Sequence, residues 1–137
     1  MTFSISFRYF ANMTKHLLSA VILLIFIACG PPPERNCKDF KTGDFTFTAI
    51  VDGEEKKTTF SRTLDLEVDE YEGKVDSSSV RWINDCEYVL KNLNPKSKAE
   101  EKPIRIKILT TSESSYTFEY NVVGDNRKFK GTAHKID

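Results

Sequence analysis

The sequence predicts an all-β domain: an antiparallel meander of seven to eight strands, curled into a small barrel or stacked as a sandwich, behind an N-terminal signal helix. Three observations carry this. Apolar and polar residues alternate with period two from Asp39 onward. Turn dipeptides and prolines interrupt that alternation at close spacing, and no segment after the leader shows a convincing amphipathic helical pattern.

Taken in order, "DFTFTAIV" places Phe45, Phe47, Ala49 and Val51 on one face and Asp44, Thr46 and Thr48 on the other. Asp52-Gly53 is a tight-turn pair. "KKTTFSRT" reads as a weaker, edge-like strand. "TLDLEV" alternates again, with Leu64, Leu66 and Val68 expected inward and Thr63, Asp65 and Glu67 outward. Residues 71–75, around Gly73, form a turn or bulge. "SSVRWINDCEYVL" reads as one long strand with Val80, Trp82, Asn84, Cys86, Tyr88 and Leu90 on a common face. "NLNPKSKAEEKP" breaks the pattern between two prolines. "IRIKIL" resumes it, turning Arg105 and Lys107 outward, and "SYTFEYNV" aligns Tyr116, Phe118, Tyr120 and Val122. "GDNRK" turns the chain and "FKGTAHKI" closes it.

The first 28 residues carry Arg8 and Lys15, no acid, and the apolar run "LLSAVILLIFIA". That run is shorter than the roughly 20 residues of a membrane span and fits a signal-peptide core. It ends in "IACG", which resembles the lipobox of bacterial lipoproteins, with Phe26 in place of the preferred leucine. The resemblance implies cleavage between Ala28 and Cys29 and a lipid on the Cys29 thiol. Met13 opens a compact leader with a basic start, so translation is expected to begin there, with Met1 the alternative. "GPPPERN" follows as a stiff polyproline tether. The expected organisation is a signal peptide over 1–28, a lipidated cysteine and tether over 29–38, and one β domain over 39–137. Losing the leader removes two of 20 Lys and Arg and none of 20 Asp and Glu, leaving a net charge of −2. Such a domain has no electrostatic footprint for nucleic acid.

With Cys29 assigned to lipid, Cys37 and Cys86 remain, and in an oxidising compartment an even pair is most simply a disulfide. The rival readings are weaker. Asp85 and Glu87 would oppose a thiolate at Cys86, and His134 is the sole histidine after the leader. Cys37, Cys86 and His134 lack zinc-ligand spacing, and Asp65, Glu67, Asp69, Glu70 and Glu72 match no EF-hand loop. No phosphate loop, nucleophile elbow or dinucleotide fingerprint is present. No catalytic residue, metal or cofactor is therefore expected, and the protein is not expected to be an enzyme.

The lipobox together with "NCKDFKTGDF", "VRWINDCEY" and "YTFEYNVVGD" resembles a family of small flavobacterial (Bacteroidetes) lipoproteins that brings no established activity. Some relatives carry a DNA topoisomerase IV label, which an exported domain of this size without a basic DNA face does not support. The resemblance implies a lipid-anchored envelope protein. A single acid after Cys29, Glu34, favours the outer membrane facing the periplasm. "KTGDF" resembles the opening of lipocalin-like barrels, with Phe45 where tryptophan is usual, and turns the fold expectation toward such a barrel.

Two functions follow as expectations. The first is binding of a small apolar or amphipathic ligand, with Phe45, Phe47, Trp82, Tyr88, Tyr116, Phe118 and Tyr120 facing it or forming the core. The second is a structural or assembly role, docking an envelope protein. A cavity of roughly 300 Å³ or more favours the first, and a solid core with an exposed apolar patch favours the second.

Overall fold

The computed structural model describes residues 35–51 and 53–136, with side chains at 49–51 excepted. The expectations for the signal helix, Met13, Ala28, Cys29 and the prolines lie outside the described residues. Among those described, the chain forms eight antiparallel strands: β1 (Gly43–Val51), β2 (Glu54–Arg62), β3 (Leu66–Tyr71), β4 (Lys74–Asn84), β5 (Glu87–Asn92), β6 (Ile104–Thr111), β7 (Ser115–Val122) and β8 (Phe129–Lys135). Each pairs with its sequence neighbour, and β8 returns to β1 through Phe45↔Lys135, Thr46↔His134 and Phe47↔Ala133. The sheet is therefore a closed barrel and not a sandwich. Closure also corrects the reading of β2, which is paired along both sides and is no edge.

Short turns set the register. Val51 pairs with Glu54, and Tyr71 with Lys74, leaving two residues in each loop. At the second, Glu72 and Gly73 both have positive φ, 48° and 73°, as a type I′ hairpin requires. The segment read as one long strand is instead a hairpin. It bends at Asp85-Cys86, so Val80 faces Leu90 and Trp82 faces Tyr88 across β4 and β5. The shared apolar face was legible, but the turn was not, because neither Asn84, Asp85 nor Cys86 is a glycine or proline. The β4–β5 and β6–β7 ladders shift register after Trp82 and after Ile108, as at a β-bulge.

A one-turn 3₁₀ helix, Cys37–Phe40, plugs the end of the barrel beside the β4–β5 turn, with Cys37 and Phe40 fully buried. The Cys37–Cys86 disulfide fastens it to the β4–β5 turn. Lys41 reinforces the link through Asp85 at 2.8 Å and lies 4.9 Å over the Trp82 ring. Residues expected to belong to the tether are docked too. The Arg35 guanidinium donates to the Ile108 carbonyl at 3.1 Å, and the Asn36 amide donates to Thr111 Oγ1 at 2.9 Å. The folded domain thus includes residues 35–38.

One strand departs from its pattern. On β3, Leu66 is exposed and Glu67 is buried, and Leu64 in the preceding turn is 62% exposed. Phe60 faces the core, so two residues on Arg62 does as well, and Arg62 pairs with Glu67. The register with β2 therefore turns Glu67 and Asp69 inward and Leu66 outward, reversing the face that "TLDLEV" predicts.

Candidate functional site: the barrel lumen

The inward faces build the lumen in three levels. At the plugged floor, Phe45 stacks on Phe60 at 5.0 Å and meets Tyr116 edge-on at 5.8 Å. Into this cage projects Arg62, with its side chain 1% exposed and its guanidinium carbon 4.4 Å from the Tyr88 ring. It donates to Glu67, to the Phe40 carbonyl at 3.1 Å and to the Tyr116 hydroxyl at 2.9 Å. Burial alone would lower the Arg62 pKa, but Tyr88, Glu67 and Tyr116 raise it, so the group stays charged. Burial also pushes the Tyr88 and Tyr116 hydroxyls up, leaving them protonated donors. The floor is a polar cluster centred on Arg62 and walled by rings.

Above it lies an inner chamber of about 180 Å³, walled by Phe47, Leu90, Ile104, Ile106, Phe118 and Tyr120. Its size depends on β8. A Cβ at Gly131 would sit 2.6 Å from Phe47 and 2.8 Å from Phe118, so glycine here gives both rings room to cross the lumen. The chamber shares Asp69, Leu90 and Ile104 with a wider mouth of about 470 Å³. Asp76, Ser78, Asn92, Glu100, Lys102 and Val122 line this mouth, with Ala99 from the long β5–β6 loop above it.

Asp69 stands at the neck between the two volumes. Burial, followed by the charge of Glu67 and with Asp76 adding to it, pushes its carboxyl up to about 7 against the pull of Arg62. The Asp69 carboxyl makes no hydrogen bond or ion pair with any described residue.

Of the residues expected to face the lumen, Phe47, Tyr88, Tyr116, Phe118 and Tyr120 line the inner chamber. Phe45 lies beneath them in the floor, fully buried. Trp82 packs on Tyr88 at 4.6 Å beside the plug and does not line the chamber. Cys86 is spent in its disulfide, and His134 is exposed on β8. Sequence reasoning missed Arg62, Glu67 and Asp69. The available signal was parity: Arg62 lies two residues after Phe60 on the same strand.

The fold and lumen together define a small plugged β-barrel with an open, acid-necked mouth. Compared with known proteins, the chain matches no family model, no curated protein and no solved structure.

Proposed function

We propose that this is a membrane-anchored envelope lipoprotein whose barrel binds a small apolar or amphipathic ligand. The observation that carries the reading is the apolar chamber continuous with an open mouth. The chamber alone is smaller than a usual ligand site, but the chamber and mouth together offer an apolar pocket under a polar rim. Eight strands leave room for one such molecule. Anchoring rests on the Cys29 lipobox, which precedes the plug at residues 37–40 in the chain.

The test is purification of the lipidated protein from native membranes, followed by mass spectrometry for bound small molecules and proteins. A stoichiometric apolar or amphipathic compound that is absent from a folded Ile104→Trp variant, blocked at the neck, is the expected result. Loss of labelled fatty acid in Cys29→Ser tests the anchor. A second reading, docking of an envelope protein, draws on the outer groove of about 440 Å³ that includes Val68, Val75 and Ile136. Recovery of a protein partner with an empty barrel would favour it.

A further inference from the structure

The walls of the chamber are ordinary for an apolar ligand, but the neck is not. Asp69 and Asp76 are direct partners across β3 and β4, and both line the mouth. Like charges placed opposite each other weaken a sheet unless something neutral or positive sits between them. Below them, Glu67 is 3% exposed and gives one carboxylate oxygen to Arg62, while its other oxygen accepts no hydrogen bond from a described residue. Three carboxylates thus form a seam along the inner face of β3 and β4.

The cations nearby do not cancel that seam. Arg62 is committed to Glu67, the Phe40 carbonyl and Tyr116 at the floor. At the mouth a single lysine among the described residues, Lys102, stands against three acids, Asp69, Asp76 and Glu100. An anionic head, such as a fatty-acid carboxylate, would meet an arginine already neutralised and two aspartates beyond it. A head that donates hydrogen bonds and carries positive charge would meet the paired acceptors Asp69 and Asp76.

Resting on the ligand-binding reading above, we propose that the barrel selects an amphiphile with an ammonium head: an apolar chain in the inner chamber and an amine at the neck between Asp69 and Asp76. The chamber holds about six waters' worth of volume at about 30 Å³ each, so a short chain fills it. An ammonium beside Asp69 would favour its charged form against the burial that favours the neutral one.

The test compares three probes of equal chain length, octylamine, octanol and octanoate, by calorimetric titration at pH 7.5. The protein is the oxidised full chain carrying Cys29→Ser. Octylamine should bind about tenfold or more tighter than octanol, and octanoate more weakly than either. Asp69→Asn should bring octylamine down to the octanol level while leaving octanol unchanged, with Asp76→Asn as a second variant. Octanol or octanoate binding as tightly as octylamine would overturn the amine assignment and leave the barrel a binder. Failure of all three probes to bind would overturn the ligand-binding reading itself.

Discussion

Arg62 and Glu67 are Cα partners across β2 and β3 and form an ion pair whose side chains are 1% and 4% exposed. Little of either side chain is exposed, so neither charge can be left alone at small cost. The pair joins the plug, through the Phe40 carbonyl, to the strand that carries the acidic neck.

Removing one partner should therefore cost about 3–5 kcal/mol, as for other buried pairs. Glu67→Gln and Arg62→Met are each expected to lower the midpoint of chemical unfolding strongly. The double variant Arg62→Met/Glu67→Leu should be more stable than either single one. Additive losses in that double-mutant cycle would show that the two side chains do not act as a pair.

The disulfide closes a sequence separation of 49 residues. Chain entropy assigns about 4 kcal/mol to a loop of that length. Reduction, or Cys37→Ser with Cys86→Ser, should lower unfolding stability by about that amount and free the plug first. Hydrogen exchange should then quicken at residues 37–40 before the strands open.

Asp69 gives a pH dependence opposite in sign to that of a salt-bridged carboxylate. Its folded pKa is about 7, and its unfolded value is about 3.9. Between these values the folded state holds a proton that the unfolded state has lost, so stability falls as pH rises from about 4 to about 7 and is flat beyond. The difference between wild type and Asp69→Asn in urea midpoints, measured across that range, isolates the effect. The gap between the two pKa values sets an upper limit of about 4 kcal/mol, which partial exposure of Asp69 screens to roughly 1–3 kcal/mol, and a pH-independent difference would refute it.

Gly131 faces Phe47 and Phe118 too closely for a side chain. Gly131→Ala should cost about 1–3 kcal/mol by overpacking. It should also push the two rings into the chamber and weaken uptake of any ligand there. Unchanged thermal stability in this variant would mean that the rings have space to retreat.

Much of the barrel was legible in local pattern. Strands β1, β6 and β7 have the faces their alternation predicts wherever their side chains are described, because period two in a half-buried sheet leaves one register that hides Phe45, Phe118 and Tyr116. The Cys37–Cys86 pairing followed from the expectation of an oxidising compartment with Cys29 set aside for lipid, which leaves two thiols. The hairpin at Asp85-Cys86 was hidden because the same apolar face continues through it, and only pairing of Trp82 with Tyr88 reveals the bend.

By itself, then, the sequence determined the all-β class, the near-sequential strands, the disulfide and the aromatic wall, since each depends on residues close in the chain or on residue type alone. Tertiary structure decided closure, the plug and the acidic neck. In "TLDLEV" the local preference was for leucines inward, yet pairing of β3 with β2 put Glu67 against Arg62 and carried Asp69 into the lumen. A buried arginine fixes its partner through space, and no window of sequence contains that constraint.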